Sequence, residues 1–232
     1  MYGETMTATE PPSRPAGPGE DRRRRKARQT RDALAAAALE LILERGLAGT
    51  TVEAIAERAD VTRRTFSRYF TGKEDAALDF VRGDGERINA LLRARPAGEA
   101  PLSAYRRAVR GWLSDQDNPA SHLRPDMRRL LVLVDREPDL FAAYQRIRVD
   151  AQEESARIIA DRLGIADDER DVRPAVVVDA AAGVLTAALR LWARGTAGHA
   201  ADAAELASLV ERAYDALATE AATAVAESTT EE

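Results

Sequence analysis

The stretch that most constrains this fold is TTVEAIAERADVTRRTFSRYFTGK, which runs from residue 50 to residue 73. Apolar residues recur in it at helical spacing, the spacing breaks near Asp60, and it resumes at Phe66. Two short helices joined by a tight turn explain this pattern, and that arrangement is a helix-turn-helix. Thr50 followed by Glu53 predicts a capping box at the start of the first helix, and Thr62 predicts the N-cap of the second.

The second of these helices carries hydrogen-bond donors around an apolar anchor of Phe66 and Phe70. Such a surface suits a groove lined by phosphates and base edges. Arg63 and Arg64 lead the helix and are predicted to read bases, while flanking residues hold phosphates. The residues predicted to contact DNA, three of them from the basic segment upstream, are Arg24, Arg25, Arg28, Thr51, Thr62, Arg63, Arg64, Thr65, Ser67, Arg68, Tyr69 and Lys73.

Short motifs in this region match a known family in order and spacing. They are E-R-G at 44–46, T-T-V at 50–52, I-A at 55–56, A-D-V at 59–61, T-F at 65–66, Y-F at 69–70 and K-E at 73–74. Over roughly residues 28 to 82 the chain resembles the DNA-binding domain of the TetR family of bacterial transcriptional regulators. The resemblance implies operator DNA as a partner and a phosphate contact at Lys73. The chain departs from the family at Asp60, Arg64 and Ser67, where Gly, Gly and Tyr are frequent, so it predicts no particular operator.

Composition favours an all-α protein, because Ala, Leu, Arg and Glu dominate and only 5% of the 232 residues are aromatic. The net charge is −5, yet residues 21–82 carry 14 basic and 10 acidic side chains, a net of +4. Residues 83–232 carry 19 basic and 26 acidic side chains, a net of −7. One end of the chain is therefore expected to meet a polyanion, and the other is not.

Several classes of function are disfavoured. The chain has no cysteine, which excludes a disulfide framework and a thiolate nucleophile. His122 and His199 are expected to be ordinary loop residues, and the acidic run 167–169 a solvated turn, so we expect no enzyme, metal site or cofactor. The longest apolar run, residues 175–189, is shorter than the roughly 20 residues of a spanning helix. A cytoplasmic protein is expected.

The chain divides into four segments. Residues 1–20 are Pro-rich and predicted to be disordered, residues 21–82 form the three-helix DNA-binding domain, residues 83–226 form a larger helical ligand-binding and dimerisation domain, and residues 227–232 are a disordered tail. The basic run 21–31 is either a solvated surface or an arm that follows phosphates or enters a minor groove, and its place before a helix-turn-helix favours the arm. Helices are predicted at 28–45, 73–95, 102–114, 125–136, 139–163, 173–194 and 202–222.

Residues 125–163 resemble the C-terminal domain of TetR-family members that bind acyl-CoA-like ligands, including the mycofactocin-regulator type. The resemblance rests on a Leu-rich helix followed by E-P-x-L at 137–140 and F-x-x-Y at 141–144. The aromatic and large apolar residues of this domain either form plain core or line an effector cavity, and Arg146 and Arg148 either are solvated or meet an anionic head group. The residues predicted to bind the effector are Tyr105, Trp112, Met127, Leu131, Phe141, Tyr144 and Arg148.

The last two helices carry small residues and leucines on one face, which predicts a four-helix dimer interface or, alternatively, an internal core helix. The predicted interface residues are Val177, Val184, Leu185, Leu206, Leu209 and Ala213. The sequence thus predicts a homodimeric repressor that a small apolar or acyl-type effector releases from operator DNA. An architectural DNA-binding protein without an effector is the alternative.

Overall fold

A computed structural model describes residues 18–165, 170–195 and 203–230. Within these ranges the chain is all-α, as the composition predicts, with a 3-10 turn at Ser121–Leu123. The helices are α1 Pro18–Arg45, α2 Val52–Arg58, α3 Arg63–Phe66, α4 Lys73–Ala77, α5 Asp79–Arg93, α6 Pro101–Ser114, α7 Pro125–Val134, α8 Pro138–Leu163, α9 Arg173–Arg194 and α10 Ala203–Thr230.

The helix-turn-helix is built from α2 and α3, which rest on α1. Ile55 of α2 and Phe66 of α3 are buried with Leu34 and Leu41 of α1. The Phe66 and Phe70 rings lie 5.7 Å apart between centroids. Burying a side chain of this size stabilises the fold by about 1.5 to 3 kcal/mol, so these contacts fix the orientation of α3.

The caps of α2 and α3 confirm one prediction and overturn another. Thr62 is the N-cap of α3, and its side chain accepts a hydrogen bond from the Thr65 amide. The N-cap of α2 is Thr51, which accepts from the Ala54 amide, so the capping box predicted at Thr50 is wrong. Thr50 is buried and donates its hydroxyl to an upstream backbone carbonyl at 2.9 Å, because the chain is still extended at Thr51 and the helix starts one residue later.

Two predicted segments of irregular chain are helical instead. α1 begins at Pro18, so residues 18–20 and the basic run 21–31 belong to it, while residues 1–17 lie outside the described residues. Residues 21–45 contain no Gly or Pro and are rich in strong helix formers, which explains the continuous helix. α10 likewise continues through the predicted C-terminal tail as far as Thr230.

One long helix predicted at 73–95 is in fact two. α4 ends at Ala77 and α5 begins at Asp79, with Leu78 at φ −97° and ψ 9° between them. Leu78 is fully buried, and nothing in the sequence around it is a helix breaker, so tertiary packing accounts for the interruption. The predicted domain boundary after residue 82 therefore falls inside α5.

The C-terminal helices lie close to their predicted positions. α5 packs on α6 and α8, and α9 packs on α6, α7, α8 and α10. By length and composition α9 is apolar enough to cross a membrane, a criterion that the core helix of a soluble protein meets as well. One side of α9 nevertheless packs within this helical domain, with Trp192 and Val178 fully buried.

Candidate DNA-binding surface and effector cavity

The second helix of the helix-turn-helix, α3, is the recognition helix, and its surface and the residues just after it are open to solvent. Arg63, Arg64 and Arg68 are exposed. Arg63 pairs with Glu53 of α2 at 2.8 Å, between two side chains that are themselves exposed. Arg64 and Arg68 make no ion pair within the part of the chain that the structure describes. Their guanidinium groups are therefore available to a phosphate or a base edge.

The other residues predicted to contact DNA differ in exposure and in partners. Ser67 donates its hydroxyl to the Arg63 carbonyl at 3.2 Å, and the hydroxyls of Thr62 and Thr65 lie 3.0 Å apart. The exposed residues are Arg24, Arg25, Arg28, Thr51, Thr62 and Ser67, and the half-buried ones are Thr65, Tyr69 and Lys73. All of them belong to α1 or to the segment 51–73, so the fold keeps the predicted set within one domain.

Lys73 has an internal role that the sequence did not predict. Its ammonium donates to the backbone carbonyls of Leu47 and Thr50, at 2.6 and 3.0 Å. These bonds use two of its three donors and tie the start of α4 to the loop between α1 and α2. Lys73 thus holds the domain together, with one donor left over for a phosphate.

The basic run is a helix rather than a flexible arm. Every described side chain from Arg22 to Gln29 except Ala27 is exposed, so this part of α1 extends beyond the core. An α-helix is about 10 to 12 Å across with its side chains, whereas the minor groove of B-DNA is about 6 Å wide. In this conformation the run can follow phosphates but cannot enter a minor groove.

An ion-pair network joins the DNA-binding domain to α5. The Arg31 guanidinium donates to both Asp79 oxygens, at 2.9 and 2.7 Å, and it lies 5.1 Å from the centroid of the Phe70 ring. Arg82 of α5 donates to Asp79 at 2.8 Å and to Asp75 of α4 at 2.7 Å. Burial alone would raise the pKa of Asp75, but hydrogen bonds from residue 71 and Arg82 bring it below its usual value.

Residues 81–88 of α5 also border a cavity of about 70 Å³, which we call the inner cavity and which is lined mainly by residues of α5, α6, α8 and α9. Four residues of the predicted effector set line it, namely Tyr105, Trp112, Tyr144 and Arg148. The Arg148 guanidinium lies 5.8 Å from the centroid of the Tyr144 ring. Burial raises the pKa of both tyrosines, so their hydroxyls stay protonated at neutral pH.

The wall of the inner cavity contains a buried polar cluster centred on Asp84. One carboxylate oxygen accepts from the Trp112 indole at 3.0 Å and from the Ser121 amide at 3.2 Å. The other accepts from the His122 amide at 3.3 Å and lies 2.7 Å from His122 Nδ1. Burial alone would raise the pKa of Asp84, but the hydrogen bonds that it accepts from His122, Trp112 and the Ser121 amide bring it below its usual value.

A second cavity, of about 320 Å³, adjoins the first, and we call it the outer cavity. Tyr144 and Leu189 line both cavities. The outer cavity is apolar on the side of Leu131 and charged at Arg190 and Arg194, which both pair with Asp135. Its size is at the lower end of the range of about 300 to 1,000 Å³ found for ligand sites.

Two residues of the predicted effector set line neither cavity, and Arg146, for which an anionic head group was one of two alternatives, lies away from both. Phe141 is 37% exposed and lines neither cavity, because it follows the first turn of α8 on the outer side. Met127 is 3% exposed but belongs to the core. Arg146 lies at the cleft between the two domains, beside Asp75 and Asp139.

Two functional candidates were missed by sequence reasoning. The sequence predicts an ordinary loop residue at His122, and in the structure this side chain, on the connection between α6 and α7, is 4% exposed and lines the inner cavity. Asp84 was not singled out at all. Their pairing spans 38 residues, so only the presence of an acidic residue among the apolar positions of α5 could have signalled it. His199 and the acidic run 167–169 lie outside the described residues.

The predicted dimer residues mostly face inward. Val184, Leu206 and Leu209 are buried within the single chain, so these helix faces form core, which was the alternative reading. Leu185 lines the inner cavity, and Val177 and Ala213 are half-buried. The sequence could not distinguish the two apolar faces of α9.

The outward face of α9 is a different set of residues at helical spacing. We call it the outer stripe, and it consists of Val172 just before the helix, then Val176, Gly183, Ala187 and Leu191. Val172, Val176 and Leu191 are 68%, 61% and 62% exposed. Beyond residue 217 the described side chains of α10 are exposed as well.

Comparison with known proteins identifies the family. Residues 34–77 match the bacterial regulatory proteins of the tetR family, and residues 99–222 match the MftR C-terminal domain. The chain belongs to the TetR family of transcriptional regulators. It is 41% identical over 187 residues to the HTH-type transcriptional regulator TcmR of Streptomyces glaucescens, covering 78% of this chain and 79% of TcmR. Both resemblances proposed from sequence motifs are thereby confirmed, and the protein is a regulator rather than an enzyme.

A solved structure of a TetR-family regulator shares the fold. A regulator from Mesorhizobium loti superposes with a TM-score of 0.52 at 20% identity, covering 83% of this chain and 96% of that one. The TetR-family repressor FadR of Thermus thermophilus, solved in complex with lauroyl-CoA, gives a TM-score of 0.44 at 25% identity, covering 79% and 93%.

Proposed function

We propose that this TetR-family regulator is a cytoplasmic homodimeric repressor that leaves its operator when a small molecule with an apolar body occupies the paired cavities. The observation that carries the proposal is the position of α5. Asp79 at its start pairs with Arg31 of the DNA-binding domain, and Asp84 in its second turn lies in the wall of the inner cavity. A ligand that displaces α5 therefore changes the support of the recognition helix, which is the differential contact that coupling between two sites requires.

DNA is contacted through α3 and the exposed basic end of α1. Arg64 is the strongest candidate for base reading, because it is exposed, makes no ion pair among the described residues and lies in the first turn of α3, whereas Arg68 follows the helix. Arg63 is held by Glu53 and contributes when that pair opens. Two recognition helices read the paired half-sites of a palindrome, since helix-turn-helix dimers match the symmetry of their operators.

The outer stripe supplies the dimer seam. Its central residues are Gly183 and Ala187, which allow a second helix to approach closely. Val176 and Leu191 are 15 positions apart, about 22 Å along the axis, so the stripe is long enough for a helix pair. The part of α10 beyond residue 217 is also exposed and rich in alanine, so it offers a second surface for the partner.

The DNA-binding half of the proposal is tested by titrating the protein on DNA from the region upstream of its own gene and on random DNA. Arg64→Ala should weaken operator binding by about 1 to 3 kcal/mol and lower the operator-to-random ratio. Arg157→Ala, which removes an exposed arginine from α8, is the matched control and should leave the ratio unchanged. Equal binding of both DNAs by the wild type would instead indicate an architectural protein.

The ligand half is tested by titrating the operator complex with long-chain acyl-CoA, a free fatty acid and an aromatic compound of similar size. Release should be lost in Leu189→Trp, which fills the wall shared by the two cavities. Leu133→Trp is the control, because Leu133 is half-buried on α7 and lines neither cavity. Failure of every compound to release folded, DNA-competent protein would contradict the effector proposal and leave DNA binding intact.

A further inference from the structure

The inner cavity contains one polar atom whose chemistry is set by its surroundings, Nε2 of His122. His122 is 4% exposed and lines the cavity, and its hydrogen bonds to the described residues involve its backbone N–H and Nδ1, with none at Nε2. The imidazole is fixed on two sides, with the Phe80 ring 5.1 Å and the Trp112 ring 5.5 Å away between centroids, both edge to face. It cannot turn to offer Nδ1 to the cavity without breaking its bond to Asp84.

Asp84 decides which nitrogen carries the proton. Its carboxylate already receives the Trp112 indole N–H and the backbone N–H groups of residues 121 and 122, and Arg87 lies 3.6 Å from it. A carboxylate with these donors is ionised and can only accept, so His122 Nδ1 must bear a hydrogen. In the neutral imidazole Nε2 then presents its lone pair to the cavity.

We propose that His122 Nε2 is the specificity-determining acceptor of the effector site, and that the effector is a hydroxylated ring compound whose O–H donates to it. This inference rests on the proposed function, since it assumes that the cavity is the effector site. The inner cavity of about 70 Å³ is too small for a whole ring system, so the hydroxyl-bearing edge lies there and the rest of the ring extends past Tyr144 into the outer cavity of about 320 Å³. A ring is expected because Trp112, Tyr105 and Tyr144 offer aromatic surface, which packs well against flat rings.

The same chemistry disfavours a simple fatty acyl group at this point. A carboxylate or thioester oxygen carries lone pairs and no hydrogen at neutral pH, so it would face the lone pair of Nε2. A hydroxyl supplies the missing donor, and a buried acceptor left without a donor is costly. The cavity therefore distinguishes a hydroxyl from an ether or an ester at the same position.

The test uses 2-naphthol and 2-methoxynaphthalene, which differ by the methyl group that removes the donor, with dodecanoate as a third probe. Calorimetry on the full-length protein should show 2-naphthol binding about tenfold more tightly than the other two. Equal affinities, or no binding of 2-naphthol by folded protein, would overturn the proposal.

Asp84→Asn provides the matched variant. The amide can donate to Nδ1, which moves the imidazole hydrogen to Nε2, and both naphthalene probes carry an oxygen that accepts from it. The tenfold preference should therefore fall to about twofold or less. A preference that persists in a folded Asp84→Asn protein would overturn the role of the Asp84 and His122 pair.

Imidazole ¹⁵N NMR tests the tautomer without any change in the cavity. The chain has two histidines, so His199→Gln leaves a single pair of imidazole signals. The Nδ1–H tautomer is expected, with an Nε2 signal that shifts with 2-naphthol and not with its methyl ether. An Nε2–H tautomer, or an unmoved signal at saturating 2-naphthol, would overturn the inference. DNA release is measured separately. Binding of 2-naphthol without release would contradict the proposed repressor mechanism but not the role of His122 Nε2 as the acceptor.

Discussion

Replacing Arg31 and Asp79, separately and together, will measure how firmly the DNA-binding domain is held to α5. Arg31 makes two charge-assisted hydrogen bonds to Asp79, at 2.9 and 2.7 Å, and the Asp79 side chain is only 14% exposed. Hydrogen bonds to charged groups contribute about 1.5 to 3 kcal/mol each in buried sites. The Arg31 side chain is 35% exposed, and solvent screening lowers that contribution. We expect a coupling energy of about 1 to 2 kcal/mol.

Urea unfolding of the wild type, Arg31→Met, Asp79→Asn and the double variant supplies the four free energies, measured by tryptophan fluorescence at one protein concentration. Methionine keeps much of the aliphatic stem that lies over Phe70, and asparagine keeps the shape of the aspartate. A cycle on the exposed pair of Arg157 and Glu153 is the control and should give a smaller coupling energy. A value below about 0.5 kcal/mol for Arg31 and Asp79 would refute the reasoning, because it would equal that of an ordinary surface pair.

Three further predictions follow from packing. Glutamate at both Val176 and Leu191, which are 61% and 62% exposed, should give folded monomers in sedimentation, whereas an intact dimer would place the seam elsewhere. Gly85→Val should lower the free energy of unfolding by about 1 to 3 kcal/mol more than Gly83→Val, because a Cβ at Gly85 would lie 3.0 Å from a Cβ of α8 and one at Gly83 would meet nothing within 4 Å. Lys73→Met should lower the free energy of unfolding by about 1 to 2 kcal/mol, because it removes the two bonds to backbone carbonyls, and should leave the salt dependence of DNA binding unchanged. A slope of log affinity against log salt concentration that falls by about one would show that the third donor contacts a phosphate.

Local signals in the sequence were sufficient for much of the fold. The apolar anchors Phe66 and Phe70, the cap at Thr62 and the turn at Asp60, which has φ of 51°, each follow from neighbours a few residues away. Proline at the first turn of α6 to α9 marked those helix starts in the same way. Predictions of this kind succeeded because the interactions concerned are within one turn of helix.

Predictions that depended on distant partners failed. Periodicity shows that a helix has an apolar face but not what that face meets, so Leu209 was placed at a dimer seam and Phe141 in a cavity. The role of His122 depends on Asp84, and that of Lys73 on carbonyls more than 20 residues upstream. Each of these contacts is created by tertiary packing, and no spacing within a single helix predicts it.

The outer stripe also has a consequence for the protomer before assembly. In the proposed homodimer the partner covers Val172, Val176 and Leu191, which are exposed in the single protomer. Synthesis of the chain therefore creates an interval in which an apolar surface is exposed to lipid, chaperones and other nascent chains. Its length is set by protomer concentration, since pairing is bimolecular. A regulator made in few copies per cell would spend longest in that interval, so the yield of functional repressor should rise more steeply than its rate of synthesis.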